Sequence, residues 1–264
     1  MWRALTLITI GGVRGRLTAA LAGPAAAAIA VALLAGAPSA ERSAAQSAEV
    51  PSPLTIGHSV QGRAIVAERI GDPAAERVAL AVGVIHGDER AGRRVLTALR
   101  SRADALQGLQ IWLVDSINPD GEAAGARKNA HRVDLNRNFP HRWRGGPPPS
   151  HGYHPGPGPA SEPETRAAME LVDRIRPDVS VWYHQPWGAV LACRGRPRLA
   201  ARYAKLARMR RSCRGRGLRG TAIGWQLAEQ PGSTAFVVEF GPGKLAKRAA
   251  RRHARALATI AGDE

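Results

Sequence analysis

Two side chains that could bind a metal ion follow directly after an apolar run of the sequence. The run Val78–Ile85 ends in His86, Gly87, Asp88 and Glu89, so a histidine and a carboxylate stand three positions apart. Imidazole nitrogen and carboxylate oxygen are both ligands of Zn²⁺, and a catalytic zinc ion needs three protein ligands and one open position. The third ligand must come from elsewhere in the chain.

His184 is the best candidate for that third ligand because it repeats the same context. It ends a second apolar segment, Val179–His184. The pair His151 and His154 is a weaker candidate, since Pro and Gly surround it and no regular element fixes its geometry. The remaining histidines are expected at the surface: His58, His131, His141 and His253. The predicted zinc ligands are therefore His184 and the histidine and glutamate of HGDE.

A second polar constellation lies in the segment DLNRNF. It places Asn136 beside Arg137, an amide next to a guanidinium fork suited to a carboxylate. Arg127 and Arg132 lie close by in the sequence, and either could stabilise an oxyanion. Each arginine could also be an ordinary surface charge in a chain this rich in arginine. The motif predicts binding of an anionic group.

Glu239 ends the apolar segment TAFVVE. A carboxylate at the end of a buried strand costs free energy unless it is paired, hydrogen-bonded or used in chemistry. A buried structural ion pair is one interpretation. The other is a general base and acid, which would take a proton from water and pass it to a leaving amine.

Apolar runs that predict strands alternate with segments of helical spacing. Strands are predicted over Val78–Ile85, Gln110–Val114, Val179–His184 and Thr234–Phe240. Helices are predicted over Ala91–Arg100, Ser161–Arg174, Arg198–Arg208 and Lys244–Ile260. This order favours an α/β fold in a single domain, with a central mixed, largely parallel sheet flanked by helices. Chemistry is then expected at the carboxyl ends of the strands.

Three connecting segments carry local signals. NPDG, residues 118–121, predicts a turn. The segment Trp143–Pro159 is so rich in Pro and Gly that we predict a surface loop at the rim of the site. Ser161 and Glu164 have the spacing of a capping box at the start of the following helix.

The N-terminal region has the features of a secretory signal. Three arginines precede an uncharged, Ala/Leu-rich run over residues 17–40. The same run is long enough to span a bilayer, so an uncleaved N-terminal membrane anchor is the alternative. We predict a signal peptide or anchor over residues 1–40, a linker over 41–53 and the folded domain over 54–264. The domain is expected outside the cytoplasm, secreted or associated with the cell envelope.

Cysteine content and charge give two further expectations. Cys193 and Cys213 either form one disulfide, as an exported protein permits, or remain two unpaired thiols. The formal net charge of +17 would attract polyanions such as nucleic acid, anionic lipid surfaces or a bacterial cell wall. The basic residues are scattered, aromatic residues make up only 5% of the chain, and no nucleic-acid-binding motif is present, so no specific nucleic-acid partner is expected.

Taken in order, HGDE, DLNRNFP, the strand-borne histidine and FVVEF resemble the zinc metallocarboxypeptidase family. GHSVQGRAI and HPGPGPASEPET are similar to the branch that contains the murein peptide amidases. The resemblance extends from about Ile56 to about Gly243. It implies one zinc ion and the following roles: His86, Glu89 and His184 as metal ligands, Asn136 and Arg137 in substrate binding, and Glu239 and Arg127 in catalysis. Arg132 is a further substrate-binding candidate because it lies close to this motif in the sequence.

The resemblance also implies a reaction. The expected activity is hydrolysis of a peptide bond next to a carboxylate-bearing residue, in particular the γ-D-glutamyl-diaminopimelate bond of murein peptides, by a monomeric enzyme. One alternative is an N-acyl amino acid deacylase of the succinylglutamate desuccinylase type, which the export signal argues against. Another is a non-catalytic cell-wall-binding protein on the same fold.

Overall fold

The computed structural model describes residues 52–192, 197–214 and 219–262. The predicted signal peptide or anchor, nearly all of the predicted linker and Cys193 lie outside these residues, so the domain boundaries and the cysteine pairing stay predictions. Within the described residues, every helix is too short or too polar to cross a membrane.

A single mixed sheet forms the centre of the domain. Its strands are β1 (Leu54–His58), β2 (Ala64–Gly71), β3 (Arg77–Val82), β4 (Leu109–Val114), β5 (Val179–His184), β6 (Ala189–Leu191), β7 (Arg210–Ser212) and β8 (Thr234–Glu239). The spatial order is β1-β2-β4-β3-β5-β8-β6-β7. The central strands β4, β3, β5 and β8 are parallel neighbours, and antiparallel pairs join β1 to β2, β2 to β4 and β6 to β8.

The described residues form six α-helices, five of which pack on the two faces of the sheet. They are α1 (Gly92–Arg100), α2 (Pro119–Ala124), α3 (Pro163–Ile175), α4 (Pro197–Ala207), α5 (Ala222–Glu229) and α6 (Lys247–Gly262), and short 3₁₀ turns occur at Ala103–Ala105 and Leu135–Arg137. One core layer packs the sheet against α1, α4 and α6, and the second packs it against α3 and α5. The structure therefore has the predicted α/β architecture, with a core on each side of the sheet.

Strand register explains why the polar residues meet. In β5, Val179, Val181 and Tyr183 belong to the core beneath α1, α4 and α6, whereas Trp182 belongs to the other core. Because side chains alternate along a strand, His184 lies on the Trp182 face. Glu239 shares a face with Val237 by the same argument, and His184 and Glu239 are register partners across β5 and β8.

Two local predictions are wrong. NPDG forms the start of helix α2 and not a simple turn. Asn118 is the N-cap, and its side-chain oxygen accepts a hydrogen bond from the Gly121 amide at 2.9 Å. Pro119 occupies the first helical position. The capping box at Ser161 is also absent, since α3 has Glu162 at its N-cap and no side-chain cap bond. The Ser161 hydroxyl instead donates to Glu162 Oε1 at 2.7 Å.

His253 is buried rather than at the surface. It lies in α6, where its Nδ1 is 2.8 Å from the hydroxyl of Tyr203 and its ring is 4.9 Å from the ring of Phe240. Helical periodicity places one face of α6 against the sheet, and His253 falls on that face with Ala250 and Leu257. The segment Trp143–Pro159, in contrast, contains neither helix nor strand, as predicted.

Candidate metal centre and active site

The three predicted metal ligands converge on one point. His86 Nδ1 lies 3.0 Å from Glu89 Oε1 and 3.1 Å from His184 Nδ1, and His184 Nδ1 lies 2.8 Å from Glu89 Oε2. All three side chains are buried. Within the described residues they form the one His/Cys/Asp/Glu cluster whose ligand atoms lie close enough together to hold a metal ion.

The cluster fits a zinc ion. A tetrahedral shell with bonds of about 2.0–2.1 Å separates its ligand atoms by roughly 3.3 Å. The observed separations are a few tenths of an ångström smaller, so a small adjustment would let the three side chains surround an ion. A second observation agrees: Glu239 Oε2 is buried beside the cluster and has no hydrogen-bond partner among the described residues.

Burial and charge set the protonation of the ligands. Burial alone would lower the pKa of His86, but the carboxylates of Asp134 and Glu89 outweigh it and raise that pKa. Burial would raise the pKa of Glu89, yet the two histidines hold it far below the usual range. Burial lowers the pKa of His184. An ionised carboxylate between two imidazoles is a donor set for a divalent cation.

Asp134 joins the metal cluster to Arg127. Its Oδ1 accepts from His86 Nε2 at 3.0 Å, and its Oδ2 accepts from Arg127 Nη2 at 2.9 Å and from Nε at 3.2 Å. Arg127 Nη1 also donates to Glu89 Oε1 at 2.9 Å. A carboxylate that accepts the second ring proton of a ligating histidine fixes the orientation of that ring.

Gln185 and Gly87 fix the backbone around the metal ligands. The backbone amide of Gln185 donates to Glu89 Oε2 at 3.0 Å, while its side chain accepts from Ala91 N and donates to the Gly241 and Gly243 carbonyls. A side chain at Gly87 would overlap the backbone of Gly121, so the HGDE turn needs glycine there.

Glu239 lines the same cavity as the three predicted ligands. It is buried at the end of β8, and burial together with the nearby Glu89 carboxylate raises its pKa to about 7. A carboxyl group whose pKa lies near neutrality can both accept and donate a proton at physiological pH.

Arg137 and Asn136 also line this cavity. Burial and the neighbouring Arg127 guanidinium lower the pKa of Arg137, although Asp134 opposes them. A bound carboxylate would relieve that repulsion. Asn136 has a structural task as well: its Oδ1 accepts from the Ala222 amide at 3.0 Å, and its Nδ2 lies 3.4 Å from His184 Nε2.

Arg132 is not brought to the cavity. It is exposed in a turn with φ +64°, where its amide donates to the Asn129 carbonyl at 2.9 Å. Asn129 Oδ1 accepts from the amide of Val133 at 3.0 Å and closes the turn. The predicted substrate-binding role of Arg132 therefore has no support from its position.

The cavity has a volume of about 980 Å³, at the upper end of the range for ligand sites. Its lining residues form two groups, according to the part of the chain that carries them. The strand wall consists of His86, Glu89, His184 and Glu239, and the loop wall consists of Arg127, Arg137 and Tyr153. Sequence reasoning missed Asp134, Gln185 and Tyr153. A signal existed for Asp134, which is a charged residue between apolar Val133 and Leu135.

The fold and the site together define a class of protein. Two histidines and a glutamate around one point, a second carboxylate beside them and arginines lining the same cavity are the arrangement of a mononuclear zinc hydrolase. It lies at the carboxyl ends of adjacent parallel strands, where α/β proteins place their sites.

The chain belongs to the zinc carboxypeptidase family, because a model of that family matches residues 40–192, more than half of the chain. Murein peptide amidase A of Escherichia coli K12 is 38% identical over 139 residues, which is 48% of this chain and 55% of the relative. Carboxypeptidase SOL1 of Arabidopsis thaliana is 31% identical over 153 residues, 52% of this chain and 29% of the relative. The chain thus spans about half or less of the length of these relatives.

Solved structures agree with the fold. The murein-tripeptide amidase of Escherichia coli O157 superposes with a TM-score of 0.62 at 27% identity, covering 81% of this chain and 94% of that one. Bovine thrombin-activatable fibrinolysis inhibitor gives a TM-score of 0.67 at 18% identity, covering 80% and 88%. The predicted family and fold class are confirmed.

Proposed function

We propose that this protein is a zinc-dependent peptidase or amidase that hydrolyses a peptide bond next to a carboxylate-bearing residue. The substrate we propose is the γ-D-glutamyl-diaminopimelate bond of murein peptides. The observation that carries the proposal is the convergence of three ligands, Glu239 and Arg137 around one cavity. The similarity to murein peptide amidase A supports the choice of substrate.

One zinc ion is proposed, held by His86, Glu89 and His184. When bound, zinc would lower the pKa of water toward about 7 and polarise a carbonyl group.

The chain's own residues supply the remaining chemistry. Glu239 accepts the proton of the attacking water and passes it to the leaving amine. Arg127 has five N–H donors, of which three bind Asp134 and Glu89, so two remain for the oxygen of the scissile carbonyl. Arg137 holds the carboxylate of the substrate and so positions the scissile bond.

The test is incubation of the zinc-loaded chain with the tripeptide L-alanyl-γ-D-glutamyl-diaminopimelate, with products identified by mass spectrometry. Release of diaminopimelate is expected. Glu239→Gln should lower kcat by about 10²–10⁴-fold while zinc content stays unchanged, because only the proton carrier is lost. An unchanged rate in this variant would overturn the role of Glu239.

The same assay separates the alternatives. Hydrolysis of N-succinylglutamate in preference to the tripeptide would favour the deacylase. A protein that lacks zinc and cleaves neither compound, yet binds wall fragments, would favour the non-catalytic reading. The complete set of ligands and the nearby carboxylate speak against that reading.

Export of the protein is part of the proposal. The signal-like N-terminus supports it, and an uncleaved membrane anchor is the competing form. N-terminal sequencing of the protein recovered from the cell envelope and the culture medium distinguishes the two. We further propose that the enzyme is a monomer, which sedimentation velocity tests directly.

Association with an anionic cell wall is supported by the charge of one face of the domain. The neighbouring helices α4 and α6 contain eight Lys and Arg residues and no Asp or Glu. Sedimentation with purified wall should weaken as salt rises, because the attraction is screened. A variant lacking four of these charges should bind less than one lacking four exposed arginines elsewhere. The two sets are Arg198, Lys205, Arg251 and Arg255, and Arg102, Arg142, Arg144 and Arg174, each changed to Gln.

A further inference from the structure

Tyr153 is an aromatic residue at the cavity that the proposed function leaves without a role. The chain has three tyrosines, and Tyr183 and Tyr203 are buried in the core with 1% and 0% exposure. Tyr153 is 49% exposed and lines the cavity. Because it lines the cavity, its ring is placed to contact a ligand bound there.

The ring of Tyr153 lies over both arginines of the loop wall. Its centroid is 5.2 Å from Arg127 Cζ and 5.1 Å from Arg137 Cζ. Both distances are within the range of a cation–π contact. The ring therefore bridges the guanidinium proposed to polarise the scissile carbonyl and the guanidinium proposed to hold the carboxylate.

The loop that carries Tyr153 is tethered on both sides of this residue. Lys128 Nζ donates to the carbonyls of Pro149 and His151 at 2.7 and 3.1 Å. After the tyrosine, the His154 carbonyl accepts from the Asp134 amide at 2.8 Å. Tyr153 is thus presented by a loop bound to the same segment that supplies Arg127 and Arg137.

We propose that Tyr153 is a positioning residue that covers the carboxylate end of the substrate. Its ring shields the carboxylate bound by Arg137 from water, and its phenol hydroxyl donates a hydrogen bond to that carboxylate. The proposal rests on the proposed function, because it takes the carboxylate-bearing substrate from there. It assigns Tyr153 to binding and not to a proton transfer.

The first experiment compares Tyr153→Ala and Tyr153→Phe in the zinc-loaded chain, using the tripeptide. Tyr153→Ala should raise KM about tenfold and Tyr153→Phe about threefold to fivefold, the loss expected for one hydrogen bond of ordinary net strength at a half-exposed position. In both variants kcat should stay within about twofold. Arg144→Ala, an exposed change in the same loop, is the matched control and should leave KM unchanged.

The second experiment uses the exposure of this tyrosine and needs no turnover. Nitration with tetranitromethane should modify Tyr153 and spare the two buried tyrosines, and the nitrotyrosine absorbance reports the extent. Free meso-diaminopimelate should slow the modification of wild-type protein, and this protection should be lost in Arg137→Ala.

The outcomes separate the two proposals. If the tripeptide is cleaved but KM in Tyr153→Ala equals the wild-type value, the positioning role is overturned and the proposed function stands. If the tripeptide is not cleaved and diaminopimelate gives no protection, the proposed substrate fails. A fall in kcat of Tyr153→Ala at unchanged KM would also overturn a role in binding.

Discussion

The strand wall and the loop wall of the cavity are built in different ways. The strand-wall residues are all less than 9% exposed, and three of them, His86, Glu89 and His184, lie 2.8–3.1 Å from each other around the proposed metal position. On the loop wall, Arg127 and Tyr153 are partly exposed and come from segments without regular structure. The metal side is packed within the domain, and the substrate side is held by tethers.

The difference follows from what each wall must do. A metal ion requires ligand atoms fixed to within tenths of an ångström, and here they come from the end of β5 and from the buried HGDE turn that follows β3. A substrate must enter and leave, so the groups that hold it stand where water already reaches. Asp134 is the point where the walls meet, because it binds His86 on one side and Arg127 on the other.

The largest effect is expected from removing a ligand on the strand wall. His184→Ala should weaken zinc binding by more than about a hundredfold, since loss of an outer partner alone costs 10–100-fold. Zinc content after dialysis against a chelator measures this. His58→Ala, which changes an exposed histidine of β1, serves as the control and should keep its zinc. Retention of zinc by His184→Ala would remove this residue from the ligand set.

Asp134→Asn should disturb both walls. The amide would no longer fix His86 through a charged bond, and Arg127 would lose its ion pair with Asp134 while keeping the one with Glu89. We expect zinc affinity to fall about 10–100-fold and kcat/KM to fall with it even at saturating zinc. Competition with a fluorescent chelator gives the affinity, and Asp104→Asn at an exposed turn is the reference. Recovery of full activity at saturating zinc would show that the walls are independent.

Behind the strand wall, His253 predicts a dependence of stability on acid. Burial lowers the pKa of His253 to about 4, below its usual value near 6.5. Below about pH 6.5 His253 is protonated in the unfolded chain but stays neutral in the folded protein. The free energy of unfolding therefore falls as the pH drops toward 4. Because of His253 alone, the free energy of unfolding should be about 1–2 kcal/mol lower at pH 5 than at pH 7.5.

Urea unfolding of the metal-free protein at these two pH values measures this contribution. His253→Gln should show a smaller difference between pH 7.5 and 5 than the wild type. An identical difference in both proteins would contradict the assignment.

The smallest effect is expected on the loop wall. Lys128→Met removes the ammonium that tethers the Tyr153 loop through two carbonyls. KM should rise about twofold to fivefold, in line with the modest net value of exposed hydrogen bonds, while zinc affinity stays unchanged. Lys205→Met on α4 is the control. A change in zinc affinity would mean that the loop supports the metal side as well.

The strand wall could be predicted from the sequence because each of its parts follows an apolar run. HGDE, WYH and VVE all stand at or just beyond the end of a buried strand, and adjacent parallel strands bring such ends together. Strand boundaries were less accurate, since β3 ends at Val82 and not at Ile85. The three-residue strands β6 and β7 are too short to leave a periodic pattern.

The loop wall could be predicted only in part. The chemistry of arginine makes Arg127 and Arg137 candidates, but nothing local in the sequence distinguishes them from Arg132, whose backbone turn leaves it outside the cavity. The position of Tyr153 depends on tethers between distant segments, which no periodicity encodes. The surface position predicted for His253 is wrong because a polar residue type does not reveal that its place on the helix faces the core.

The pairing of His184 with Glu239 in the ladder between β5 and β8 has a consequence for how the protein loses activity on heating. The spacing of the two residues is the spacing of neighbouring strands in the middle of the sheet, and these are the last elements to open. Partial fraying at the edges would leave that spacing intact. Thermal inactivation at saturating zinc should therefore coincide with cooperative melting of the whole domain and not precede it.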